Sequence, residues 1–209
     1  SPGMSPSTPY LLVDLARLQH NIDATARSAR AAGVSLRPHV KTHKCPQIAD
    51  LQLAAGAAGI TVATVGEAEV FVNHGVRDVF IAYPLWLDEE RGRRLGAVAA
   101  QARVSVGVDS GEGVAQLARH VAGLPLEVLI EVDSGHHRTG VAPEEAGRVA
   151  DTARASGLTV IGVFTFPGHA YLPEARHEAA VQEADSLAVA AESLRRHGHE
   201  VSVVSGGST

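Results

Sequence analysis

The feature that most constrains this chain is a strict alternation of two kinds of segment from about residue 34 onward. Short β-branched runs predict strands at Val34 to Lys41, Gly59 to Val65, Asp78 to Tyr83, Arg103 to Asp109, Leu126 to Asp133, Thr159 to Phe166 and Glu200 to Ser205. Between them lie Ala/Glu/Arg-rich stretches with apolar residues three and four apart. Gly66 to His74, Leu87 to Ala102, Pro143 to Ser156 and Pro173 to Gly198 are examples, and they predict helices. Strands separated by helices require parallel pairing with crossovers, hence an α/β fold. Gly33, Gly75, Gly157 and Gly198 stand where helix C-caps belong, just before the next strand.

Seven runs do not by themselves choose between a doubly wound sheet and a (β/α)8 barrel. The side-chain alternation favours the barrel. It puts Arg37, His39 and Lys41 on one face of the first run, and Glu127, Glu131 and Asp133 on one face of the fifth. Charges on strand faces need buried partners or water, and a barrel lumen gathers them. Arg37 is therefore expected to meet one of these carboxylates inside the barrel. One domain over 1–209 follows, with residues 1–7 expected to be a disordered extension or tag remnant. Ser1 to Gly3, ahead of Met4, resemble a cloning scar.

Composition narrows the partners. With 45% hydrophobic and 20% charged residues, 209 residues suffice for a sizeable core. A net charge of −5 without basic runs argues against nucleic acid and anionic membranes. No apolar run approaches the roughly 18 residues of a membrane span. Cys45 is the only cysteine, so neither an intrachain disulfide nor a multi-thiolate zinc site can form, and a cytoplasmic setting is expected.

Barrel active sites lie at the C-terminal ends of the strands. There this sequence collects His39, Lys41, His43 and Lys44, then Tyr83, Asp109, Asp133 to Arg138, Gly168 to Tyr171 and Ser205 to Thr209. Loops are polar in any protein, so each cluster alone has an ordinary explanation. Lys41 could form a Schiff base if burial and nearby cations lower its pKa, though by pattern alone a solvent lysine is the simpler reading. Ser205-Gly-Gly-Ser-Thr209 could cradle a phosphate, because glycines let amides approach an anion. No lysine follows those glycines, so this is not a nucleotide P-loop. The histidines lack the spacing of a helical metal motif, and no Gly-x-Ser-x-Gly elbow marks a serine nucleophile. Cys45 reads as a packed or half-exposed thiol.

Taken together, Arg37-Pro-His-Val-Lys41-Thr-His-Lys44 resembles the cofactor-lysine motif of the D-threonine aldolase and D-serine dehydratase family, relatives of alanine racemase. Five further stretches agree in order. They are Thr8-Pro-Tyr-Leu-Leu-Val-Asp14, Ala82-Tyr-Pro84, Glu131-Val-Asp-Ser-Gly-His-His-Arg-Thr-Gly140, Pro167-Gly-His-Ala-Tyr171 and Ser205-Gly-Gly-Ser-Thr209. The resemblance implies an alanine racemase-like barrel that binds pyridoxal 5'-phosphate, with Lys41 as the Schiff-base lysine and base. It implies that Arg138 approaches the phenolic oxygen and that His169 and Tyr171 line the pocket, His169 with a catalytic part. Ser205, Gly206, Gly207, Ser208 and Thr209 would hold the phosphate.

The implied activity is that of a lyase on D-3-hydroxy amino acids, by retro-aldol cleavage or by dehydration. An amino-acid racemase and a single-domain cofactor-binding protein are the alternatives, with an inert fragment as the last. Members of the family continue into an eighth strand and a β-rich domain with a zinc or manganese site. This chain is therefore expected to be a barrel truncated before its last strand, with no metal site of its own and little lyase activity alone. A homodimer is compatible with the resemblance.

Overall fold

The computed structural model describes residues 14–40, 45–83, 85–121, 123–135, 139–166 and 173–207. The expected disordered extension at 1–7 therefore lies outside the described residues.

Helix α1 (Leu15–Ala32) starts where Asp14 accepts the Arg17 amide at 3.0 Å and stops at Gly33, whose φ of 70° only glycine adopts cheaply. Ile22, Ala26 and Ala29, spaced four and three apart, are its buried stripe. Helix α2 (Pro46–Ala54) opens on proline, which has no amide to orphan there. Strand β1 (Ile60–Val62) leads into α3 (Val65–His74) through a reciprocal cap. Thr64 accepts the Glu67 amide at 3.1 Å while Glu67 accepts the Ala63 amide at 3.1 Å. Then follow β2 (Asp78–Ile81), α4 (Glu89–Ala99), β3 (Arg103–Val108), α5 (Gly111–Val121) and β4 (Leu126–Glu131). A short 3-10 turn (Pro143–Glu145) precedes α6 (Ala146–Ala155), β5 (Thr159–Phe164), α7 (Pro173–Arg196) and β6 (Val203–Ser205). Gly75, Gly157 and Gly198 take positive φ at the helix ends, as their positions predict.

The six strands form one parallel sheet in chain order. The first of the seven expected strands is present in weaker form. Residues 34–40 run beside β1, with a parallel bridge between His39 and Thr61 and backbone bonds from Thr61 to Pro38 and from Val40 to Thr61. Pro38 has no amide to donate, so the ladder loses a rung and the run does not register as a regular strand.

Side chains alternate between two buried layers. Val79, Ile81, Val104, Val106, Val108, Val128 and Ile130 point outward against Phe71, Leu95, Leu117 and Val149 of the helices. Phe80, Ala82, Leu129 and Phe164 form a second, inner cluster. A small cavity of about 50 Å³ is lined by Phe80 and Leu129 together with Arg37, Val203 and Ser205. Residues from both ends of the sheet reach one space only if the sheet curls, so the architecture is a curled half-barrel with helices outside.

Arg37 does not meet Glu127, Glu131 or Asp133. It pairs with Asp78 at 2.5 Å, while Glu127 is taken by Arg103 at 2.7 Å. Asp78 and Arg103 are partners in register, so alternating charges on neighbouring strands neutralise one another along the sheet. Glu131 lies four residues beyond Glu127, about 13 Å along the strand, and is out of Arg37's reach.

The inner layer is packed to the backbone. A methyl group at Gly107 would stand 2.6 Å from the Phe164 ring and 2.7 Å from the Ala82 carbonyl oxygen. Gly107→Ala is expected to cost about 1–3 kcal/mol by overpacking. A lower urea midpoint at unchanged slope would register it, and an unchanged midpoint would refute it.

Candidate active site

Parallel pairing delivers every strand exit to one face. The segments beginning at residues 41, 136, 167 and 208 follow the 34–40 run, β4, β5 and β6, so all four leave the sheet at its C-terminal end. Of the expected site residues, Lys41, Arg138, His169, Tyr171, Ser208 and Thr209 lie outside the described residues, as do His43, Lys44, His136 and His137. Their described neighbours are well anchored: Val40 is fully buried, and Gly135 donates its amide to Asp133 at 2.8 Å.

Among the described candidates, Ser205 ends β6 beside Phe164, and its carbonyl accepts the Thr165 amide at 3.0 Å. It lines the inner cavity. Gly206 and Gly207 follow as exposed turn residues, and the Gly207 amide donates to Glu183 of α7 at 2.7 Å. Aromatic rings climb from the cavity to the rim. Phe80 meets Phe164 at 4.9 Å, Phe164 meets Phe166 at 5.7 Å, and Phe166 meets Tyr83 at 4.7 Å. They supply a flat apolar wall beside the polar strand ends.

Glu131 is the most unusual group on the inner face. It is 1% exposed, and neither carboxylate oxygen makes a well-formed hydrogen bond among the described residues. Burial pushes its pKa up to about 7, the Asp109 carboxylate adds to the rise, and the Thr139 side chain opposes it. Two carboxylates at one strand-end face call for a cation. The sequence marked Glu131 as inward-facing, but Arg37, expected to meet one of the three inward carboxylates, goes to Asp78 instead.

Histidine chemistry is limited among the described residues, where no three His, Cys, Asp or Glu side chains are grouped to hold a metal ion. His197 and His199 bond Asp151 at 2.6 and 2.7 Å and hold its carboxyl below the usual range, clamping the end of α7 to α6. Also among the described residues, no helix is long and apolar enough to cross a membrane.

The residue most easily missed in the sequence is Glu183. It lies in an Ala/Glu-rich helix that reads as solvent-facing, yet it is 5% exposed. The available signal was its spacing: Glu183, Leu187, Ala190 and Leu194 form one stripe, four, three and four residues apart, and all are buried.

Comparison with known proteins agrees with this architecture. Residues 13–209 match the model for the alanine racemase N-terminal domain. An uncharacterized protein of Mycobacterium tuberculosis is 47% identical over 150 residues, covering 71% of this chain and 88% of its own length. D-threonine aldolase of Arthrobacter is 36% identical over 209 residues, covering 97% of this chain and 55% of the enzyme. The structure of D-threo-3-hydroxyaspartate dehydratase from Delftia superposes with a TM-score of 0.84 at 35% identity, covering 93% of this chain and 53% of that one. The chain thus spans about half the length of these two enzymes. With nearly every residue matched and the curled parallel sheet shared, this chain belongs to the family of the alanine racemase N-terminal domain.

Proposed function

We propose that this chain is the cofactor-holding barrel of a pyridoxal-phosphate lyase acting on D-3-hydroxy amino acids, with Lys41 as the covalent anchor. The observation that carries this reading is the match along 97% of the chain to a D-threonine aldolase, together with a family-model match over residues 13–209 that includes every strand-end segment. The residues fit such a group. Glu131 is a buried carboxylate with no well-formed hydrogen bond among the described residues, and the motif carries Lys41 and Arg138 in segments that leave the same end of the sheet. Ser205 at the end of β6 leads through two glycines to the hydroxyls of the motif, and the aromatic wall suits a planar ring.

When bound, the cofactor withdraws electrons from the substrate's Cα. The remaining work falls to side chains of this chain. Arg138 would contact the cofactor ring, Ser205, Ser208 and Thr209 would hold the phosphate, and Lys41 would move the proton at Cα. His169 and Tyr171 line the substrate pocket. Glu131, next to Asp109, fixes the cations that face it.

Aldol cleavage and dehydration share this half of the site. The choice between them, and any divalent metal that assists loss of the 3-hydroxyl, is assigned to the part of such enzymes that this chain does not span. A cysteine variant of the Delftia dehydratase solved in a metal-free form supports that division. A racemase is the second reading, favoured by the family model's own description. A barrel acting alone is a third, favoured by the Mycobacterium tuberculosis relative, 88% of which is matched within this chain.

The test is to incubate the chain with pyridoxal phosphate, reduce with borohydride and map the modified peptide. D-threonine, D-threo-3-hydroxyaspartate, D-serine and both alanine enantiomers are then assayed with manganese or zinc. Trapping at Lys41 with aldehyde or ammonia released from a D-hydroxy acid is expected. Interconversion of the alanine enantiomers without release would replace the lyase by the racemase, and no trapping would overturn the cofactor reading.

A further inference from the structure

Helix α7 touches the candidate site through two adjacent side chains. Glu183 accepts the Gly207 amide at 2.7 Å, and its carboxylate fills the space that a side chain at Gly206 would need. Gln182 lies against Gly135 in the same manner. One helix therefore braces the turn that leads to Arg138 and the turn that leads to Ser208 and Thr209.

Glu183 occupies a position where its stripe otherwise carries Leu187, Ala190 and Leu194. Leucine would bury apolar surface there at no electrostatic cost, whereas a carboxylate loses its water and must recover the difference through hydrogen bonds. A charge-assisted bond to a backbone amide is among the stronger ones available. The expense brings a fixed peptide plane between Gly206 and Gly207, two residues that otherwise have the widest conformational freedom in the chain.

Resting on the cofactor reading above, we propose that Glu183 is the positioning residue of the phosphate loop. It holds the Gly206–Gly207 turn from behind and takes the Gly207 amide for itself. The anion is then left to Ser205, Ser208 and Thr209 and their neighbouring amides. Glu183 touches no substrate and acts only through the loop.

The test compares pyridoxal phosphate with pyridoxal, which lacks the phosphate, in the 209-residue chain and in Glu183→Ala and Glu183→Gln. Binding is read by absorbance titration and borohydride trapping, and exchange of the Gly207 amide by deuterium labelling without cofactor. Glu183→Ala is expected to weaken pyridoxal phosphate by about tenfold while leaving pyridoxal within about twofold, as befits one lost charge-assisted bond. Gly207 exchange should quicken. Glu183→Gln keeps an acceptor oxygen and should stay within about threefold of the parent for both ligands. If Glu183→Ala does not fold, Glu183→Leu extends the apolar stripe and takes its place.

Unchanged phosphate-ligand affinity in the alanine variant overturns the proposal. So does an equal loss of both ligands, or a glutamine variant as weak as alanine. A parent chain that traps no pyridoxal phosphate removes the cofactor reading and this assignment with it, an outcome recognised because the failure is in the parent.

Discussion

Lys41→Ala is expected to yield a folded chain that no longer acquires the visible absorbance of lysine-bound pyridoxal phosphate and leaves no borohydride-trapped adduct. The amine is the one group assigned to the covalent link, so affinity should fall by at least about a hundredfold, beyond what one lost hydrogen bond explains. The fold should persist, because the run is held by Val40, fully buried and bonded to Thr61. Lys44 is the natural control, being the other amine of the motif. Lys44→Ala should trap normally. Wild-type stoichiometry of adduct in Lys41→Ala would end the assignment.

The geometry also narrows how such a lysine would be activated. Arg37 belongs to the motif, but its charge is already matched by Asp78 at 2.5 Å.

Glu131→Gln should separate stability from cofactor binding. Burial, reinforced by the Asp109 carboxylate, pushes the Glu131 carboxyl from an ordinary 4.5 up to about 7 in the folded chain. Its folded pKa is raised, so its contribution to stability is fully present below pH 4.5 and is lost as pH rises through about 7. A shift of this size corresponds to about 3 kcal/mol. Relative to the parent, Glu131→Gln without cofactor should gain on that order between pH 4.5 and 8, read from urea unfolding at both pH values. The same change should weaken pyridoxal phosphate by roughly tenfold, since the cations of the motif lose their buried counter-charge. A pH-independent difference between the two proteins would mean that Glu131 is already paired. Undiminished cofactor binding would mean that its charge serves nothing at the site.

Such a group illustrates a familiar tension: a buried carboxylate weakens the empty barrel and is useful only when its cation is in place. The ion pairs Arg37–Asp78 and Arg103–Glu127 are different in kind. They are mutually satisfied between neighbouring strands and need no ligand.

Much of the fold was legible before any coordinates. The β-branched runs and three-and-four periodicity mark the six strands and the main helices, and Gly33, Gly75, Gly157 and Gly198 stop helices where their conformation requires it. Strand runs were drawn one to three residues too long; in β4, for example, Asp133 turns out of the ladder to bond Val141. The motif residues from Lys41 to Thr209 likewise declare a cofactor family without help from structure.

What the sequence by itself determined about this protein is thus its order of elements, its inward and outward strand faces and its family. These depend on local periodicity and on short motifs, which are properties of neighbours in the chain. Only the tertiary structure decided that Arg37 pairs with Asp78, that Glu131 is buried near the Asp109 carboxylate, and that Glu183 reaches back to Gly207. Those pairings depend on register between strands and on the curl that brings a distant helix under a loop. Both are set by contacts between residues far apart in sequence, where periodicity carries no information.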